Sequence, residues 1–346
     1  MKAAILKEPG KLELSKVRTP DCPAGGVRVK INACGICSAD AKMVIHGHRA
    51  LNYPRILGHE IAGVIEQSRT KAFKEGDRIQ IAPGLRCGRC SYCLKGMDNL
   101  CPNRQILGFT QDGGFAEYIA IPIEGAIVGS LNIIPNAVSY NHATLAEPLA
   151  CCINARDKIN LTKNDTVLII GAGPLGLLHA FVAKHKGAEH VLISEPQPHR
   201  RKTAIHTWAH TVIDPGADNM TEKVMAATHN KGVDVLIFAC SQSGLNDMLM
   251  KLLAPGGRVS IFSGMPLQFS KYSIDFNEIH YNEFLITGAY GCTARQNSMA
   301  MDLISSEPET AQKLITHCVD LDAVHQGIEH TASQKGLKTV VEISHE

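Results

Sequence analysis

The chain has 346 residues, too many for one ordinary hydrophobic core, so two domains are expected. Hydrophobic residues make up 45% and charged residues 20%, a globular balance that excludes a disordered chain, and no apolar run approaches the roughly 20 residues a membrane helix needs. Lys and Arg total 35 against 33 Asp and Glu, for a net charge of +2, so no overall field favours nucleic acid or an acidic membrane and the expected partner is a small molecule. The opening residues, MKAAILKEPGKLEL, contain no apolar signal core, which points to a cytoplasmic protein with reduced thiols.

In chain order, the first elements are short β-branched runs separated by Gly and Pro: VRVKINA at 27–33, EIAGVIE at 60–66, DRIQIA at 77–82 and FAEYIAIP at 115–122. They predict a many-stranded β region. Within it, Cys87, Cys90, Cys93 and Cys101 form a C-x2-C-x2-C-x7-C stretch. Thiolates at such spacing turn onto one tetrahedral cation at about 2.3 Å per Zn–S bond, and four of them leave no open position for substrate. The lobe at 87–101 is therefore read as a structural zinc site rather than a disulfide loop, which would need an oxidising compartment.

From Asp157 the texture changes to strand-like runs alternating with helix-length stretches, the pattern of βα units on a parallel sheet. Strands are predicted at 166–170, 190–194, 233–239, 257–262 and 284–290, with a shorter one near Thr211–Ile213, making a doubly wound Rossmann domain over 156–290. Gly171, Gly173 and Gly176 give G-x-G-x-x-G between the buried-strand run TVLII and a helix that opens with Pro174 and Leu175. In that context the turn seats a pyrophosphate at the helix N-terminus. Glu195 ends the second strand, where a carboxylate hydrogen-bonds the adenosine ribose and repels the extra phosphate of NADP; NAD is the expected coenzyme. Arg200, with His199 and Arg201, lies in the next helix, placed either to meet a coenzyme phosphate or to form a solvated basic face. After Tyr290 a helix-like stretch, 295–304, and a last strand-like run, KTVVEIS, form a tail too short to be a domain, expected to return to the N-terminal one.

Cys37 in CGICSAD, His59 and Glu60 in GHE, and Glu147 in AEPLA lie in small-residue turns, and a thiolate, an imidazole and one carboxylate are a donor set for a catalytic zinc with one open position. Spacing alone does not join them. The order of motifs does, because CGICSAD, ILGHEIAG, EGDRI, the four-cysteine lobe, DGGFAEY, AEPLA and the GAGPLG turn together resemble, nearly end to end, the zinc-dependent medium-chain dehydrogenases, the family of alcohol, sorbitol and threonine dehydrogenases.

The resemblance implies a mainly-β GroES-like catalytic domain over 1–155 and 291–346, two zinc ions per chain, NAD as hydride acceptor and a homodimer or homotetramer. It makes Cys37 and His59 catalytic zinc ligands, places Glu60 and Glu147 at the metal with one of them completing the shell, and gives Asp40 the role of orienting the His59 ring. The Glu-Pro of AEPLA leans toward the sorbitol dehydrogenase-like branch and so toward polyols and other secondary alcohols, with a threonine 3-dehydrogenase-like activity as the runner-up. Ala39 and Lys42 depart from the usual Ser or Thr and His of the proton relay, leaving Ser38 or Glu60 as substitutes, and Gly291 stands where sorbitol dehydrogenases tend to carry arginine. A catalytically silent dinucleotide-binding protein is the reading from another class, and it would hold one zinc rather than two.

Overall fold

The computed structural model describes residues 1–124, 129–241, 247–265 and 270–344. It divides into two compact units, Met1–Ala150 with Cys292–Glu346, and Cys151–Gly291.

The first unit is built on a seven-stranded sheet. Its path runs Leu131–Ile133, Arg78–Ile81, Glu60–Ser68, Val27–Ile36, Lys338–Glu342 and Ile315–Asp320, and Tyr118–Ile121 pairs separately with Val27–Ile36. Alternating β-branched residues give these strands one core face: Val27, Val29 and Ile31 meet Ile61, Ile65, Ile79, Ile81 and Phe115 in a single buried cluster. Each large aliphatic side chain removed from water there contributes roughly 1.5–3 kcal/mol. The run FAEYIAIP is a strand only from Tyr118 onward. The backbone of Phe115 bonds Ala4 and Leu57 instead, because the chain first runs beside the strand Lys2–Glu8, where Ala116 bridges Ala3, before Tyr118 pairs with Lys30. The tail contributes two strands: Lys338–Glu342 lies antiparallel to Val27–Ile36, with Val340 opposite Gly35, and parallel to Ile315–Asp320.

The second unit is a six-stranded parallel sheet in the order Thr211–Ile213, His190–Ser194, Thr166–Ile170, Val233–Phe238, Leu253–Ile261, Leu285–Gly288. The chain starts mid-sheet, winds outward on one side and returns to wind outward on the other, which is the doubly wound arrangement with its switch point beside Thr166–Ile170. The central strands read as continuous apolar runs because helices cover both faces of such a sheet; Leu168, Leu192, Leu236, Phe238 and Val259 are all fully buried. The fifth strand begins at Leu253, earlier than its β-branched run suggests, and the sixth is limited to Leu285–Gly288.

Candidate metal centres and dinucleotide turn

The four thiols of the lobe converge. Cys90 and Cys93 are 3.5 Å apart, Cys87 and Cys101 3.5 Å, and Cys87 and Cys93 4.0 Å. A tetrahedron with bonds of about 2.3 Å has edges of about 3.8 Å, so the spacing suits one zinc. The ionisation of the group also calls for a cation: backbone N–H groups of Arg89 and Cys90 pull the Cys87 thiol down to about 6, while burial and the neighbouring Cys90 push Cys93 up to about 12. One thiolate forms readily there, and four cannot coexist without positive charge among them. Short local structure makes the convergence possible, since Cys90 precedes the helix Ser91–Leu94 and Cys101 follows the 3-10 turn Asp98–Leu100. Buried Asp98 ties the lobe down, accepting from the Arg86 guanidinium at 2.8 Å and the Ala294 backbone N–H at 3.1 Å.

A second donor group is built around Asp40. Cys37 precedes the helix Ser38–His46, and Asp40 in its first turn is fully buried. Its Oδ2 accepts the Cys37 backbone N–H at 2.9 Å; its Oδ1 accepts the Gly58 N–H at 3.3 Å and stands 3.3 Å from His59 Nδ1. One carboxylate thus fixes the backbone beside both Cys37 and His59 and lies against the imidazole ring. Cys37, His59 and Glu60 each present a ligand atom within 4.8 Å of the others. Burial alone would push the His59 imidazole down, but the carboxylate of Asp40 and the thiol of Cys37 outweigh it and hold the group well above its ordinary range. These are surroundings that favour a positive charge, and a divalent cation supplies it without the proton.

Glu147 lies in the first turn of the helix Ala146–Lys158, outside the Cys37–His59–Glu60 group. Ser38 and Lys42 are exposed on the helix that follows Cys37, and neither joins the donor group. Sequence reasoning missed Lys338. Its ammonium lies 2.6 Å and 2.8 Å from the two oxygens of Glu60 and is itself buried; burial, which would lower its pKa, is overcome by Glu60, Cys37 and Glu147, so it stays charged. A lysine inside the run KTVVE was the available signal, because a strand paired on both edges seldom carries an unpaired charge inward. Phe109 was also missed; its ring packs 5.3 Å from that of His59 and 5.7 Å from that of His48, forming an apolar wall beside the His59 imidazole.

In the second unit, Gly171 adopts φ +105° directly after its strand, and Gly173 precedes the helix Pro174–His185, with Pro174 at the first helical position where no N–H is required. Leu175 accepts a bond from the Cys152 thiol at 3.7 Å. A Cβ at Gly176 would lie 1.9 Å from the Gly171 carbonyl oxygen, so only glycine lets the helix start this close to the strand. Glu195 is buried, its Oε2 accepting the Ala172 N–H at 2.7 Å and its Oε1 the Gln197 N–H at 2.8 Å; the carboxylate is fixed at the rim of the glycine turn. The Arg200 guanidinium lies 3.6 Å from where a Cβ on Gly173 would stand; burial lowers its pKa and Glu195 opposes that. Arg201 is committed elsewhere, to Asp214 at 2.7 Å and to the carbonyls of Glu195 and Pro196.

Comparison with known proteins gives matches over most of the chain. Residues 23–129 match the alcohol dehydrogenase GroES-like domain and residues 174–306 the zinc-binding dehydrogenase domain. The sorbitol dehydrogenase of Bacillus subtilis is 30% identical over 99% of this chain and 97% of its own length. The L-threonine 3-dehydrogenase of Pyrococcus furiosus is 35% identical over 82% of this chain and 80% of its own. Among solved structures, a protein of Sinorhizobium meliloti 1021 described only as a zinc-binding dehydrogenase, bound to NADP, superposes with a TM-score of 0.89 at 30% identity, covering 99% of this chain and 98% of that one. With its GroES-like and Rossmann units, its four-thiol lobe and a sorbitol dehydrogenase relative matched nearly end to end, the chain belongs to the zinc-binding, medium-chain alcohol dehydrogenase family.

Proposed function

We propose that this protein oxidises a secondary alcohol of the polyol class to a ketone, passing hydride to NAD, with one zinc at Cys37, His59 and a carboxylate and a second zinc in the four-cysteine lobe. The observation that carries the reading is the meeting of a thiol, an imidazole and a carboxylate within 4.8 Å, one from the start of a helix and two from the start of a strand, around a buried Asp40 that fixes the backbone beside them. A closed lobe could serve structure alone, whereas a three-donor group has a position left for substrate.

When bound, zinc supplies Lewis-acid polarisation of the substrate hydroxyl and NAD supplies the hydride acceptor. The chain's own residues provide placement. Asp40 lies 3.3 Å from Nδ1 of His59, placed to orient the ring. Phe109 lines His59 with apolar surface, which excludes water and favours the carbon skeleton of a substrate over its hydration. Gly171, Gly173 and Gly176 let a pyrophosphate reach the backbone at the start of the helix Pro174–His185, with Arg200 beside it. Glu195 at the rim and the commitment of Arg201 to Asp214 favour NAD over NADP. The parallel sheet ends in Leu285–Gly288, where Leu285 is exposed, and the helix before it exposes Phe276 and Tyr281; a second copy covering this edge accounts for such a surface and supports a homodimer or a tetramer of dimers. No helix among the described residues is long and apolar enough to cross a membrane, and all the cysteines are free, in keeping with a cytoplasmic enzyme.

A second reading, oxidation of the β-hydroxyl of an amino acid such as threonine, is favoured by the 35% identity to the Pyrococcus furiosus enzyme. NADH formation with a panel of secondary alcohols, polyols and L-threonine, with NAD and NADP in parallel, separates the two. Cys37→Ala and His59→Ala are expected to abolish turnover while NADH still binds, and metal analysis is expected to give two zinc ions per chain. Unchanged turnover in either variant would remove the catalytic assignment of Cys37 and His59, and one zinc confined to the lobe would support a coenzyme-binding protein without this chemistry.

A further inference from the structure

Glu60 faces two cation positions at once. On one side it belongs to the donor group with Cys37 and His59; on the other both its oxygens are held by Lys338. Three neighbouring strands bring this about. Glu60 opens the strand Glu60–Ser68 opposite Gly35 of Val27–Ile36, and Lys338 opens the strand that pairs with the far edge of Val27–Ile36, where Val340 lies opposite Gly35. The glutamate side chain lies across Gly35, where a Cβ would stand 1.9 Å from Oε2. The ammonium has three donors and three acceptors in reach, the two Glu60 oxygens and the Ile36 carbonyl at 3.4 Å. Both partners are buried, Glu60 fully and Lys338 to 4% exposure, so neither has water as an alternative.

A buried carboxylate must have positive charge beside it. Here the ammonium and the metal compete for the same oxygens, and whatever Lys338 takes is withdrawn from the metal. We propose that Lys338 is a positioning residue that weakens the grip of Glu60 on the cation at Cys37 and His59, making Glu60 an exchangeable ligand and keeping one position available to substrate. The inference rests on reading that group as a metal site. Without Lys338, the Glu60 carboxylate turns fully to the metal, holds it tighter and fills the position.

The test uses the full-length holoprotein with cobalt in place of zinc, comparing wild type with Lys338→Met, Lys338→Gln, Lys338→Arg and the double variant Glu60→Gln/Lys338→Met. The Cys37→Ala protein supplies the background of the four-cysteine lobe. Two quantities are read: the visible d–d absorption of the open site, and the rate at which metal leaves it for an excess of chelator. Lys338→Met is expected to release metal roughly 10-fold to 100-fold more slowly, the scale on which groups behind metal ligands act. Its d–d bands should weaken as coordination rises. Lys338→Gln, which keeps the polarity and is the milder replacement for the fold, shifts both quantities in the same direction. Lys338→Arg keeps wild-type behaviour, and the double variant loses the slow release because no carboxylate remains to turn. Lys338→Met or Lys338→Gln protein with wild-type spectra and release, or a double variant as slow as Lys338→Met, overturns the role of Lys338. If instead wild type and Cys37→Ala give identical spectra, the metal-site reading itself fails, a distinguishable result.

Discussion

His179 offers a direct test of how burial governs this protein's acid stability. It lies on the helix Pro174–His185, 2% exposed, with its ring edge-on to Phe262 at 4.4 Å. Its Nε2 has no hydrogen-bond partner among the described residues, and burial lowers its pKa to about 3. In the unfolded chain the same imidazole titrates near its ordinary value of about 6.5. Between those two values only the unfolded state takes up the proton, so stability from this group is complete above about pH 6.5 and is lost as pH falls toward about 3. At pH 5, about 1.5 pH units below the unfolded value at about 1.4 kcal/mol per unit, the loss is about 2 kcal/mol. His179→Leu keeps most of the volume and has nothing to titrate. Urea unfolding of coenzyme-free protein, followed by the fluorescence of Trp208, reports on this unit, because the chain's one tryptophan is buried there against Phe181. Relative to wild type, the variant should gain about 2 kcal/mol on going from pH 7 to pH 5. Parallel pH dependences in the two proteins would refute the argument, since the imidazole would then titrate alike folded and unfolded.

Cys90→Ser opens the four-thiol shell, and the expected result is loss of the lobe's zinc with destabilisation of at least about 4 kcal/mol, read by metal analysis and thermal unfolding; a stable protein with a full metal complement would contradict a structural role for the lobe. Gly176→Ala puts a Cβ 1.9 Å from the Gly171 carbonyl oxygen. Forcing helix and strand apart should cost about 1–3 kcal/mol and weaken NADH binding measured by fluorescence, with zinc content unchanged.

The parallel sheet was legible in the sequence because its strands are buried on both faces and so read as unbroken apolar runs, TVLII and VDVLIF, bounded by glycine turns. The four-cysteine lobe was legible because its ligands lie within one short stretch and local turns suffice to close it. The Cys37, His59 and Glu60 group was not legible from spacing, since Cys37 and His59 meet only through the packing of a helix and a strand around Asp40; the order of family motifs pointed to them. For Lys338 only its oddity as a lysine inside a strand-like run was legible, not its partner. Glu60 lies 278 positions away, and which residues face each other across three strands is a matter of register that no local pattern reveals. The fixing of Glu195 by the Ala172 and Gln197 N–H groups was hidden for a similar reason: the motif gives the residue, and the backbone around it decides where the carboxylate rests.

The strand Lys338–Glu342 inserts between Val27–Ile36 and Ile315–Asp320, so the sheet of the first unit is stitched from segments before and after the Rossmann unit. On a ribosome the order of maturation follows from this. The Rossmann unit is contiguous and can condense once its own residues have emerged, whereas the sheet that carries Glu60 must wait for residue 342 before the gap beside Val27–Ile36 closes and the Glu60 carboxylate gains its counter-ion. A nascent chain stalled before that point would hold a folded parallel-sheet unit joined to an unfinished first unit, and under the proposed function metal loading would follow the arrival of Lys338.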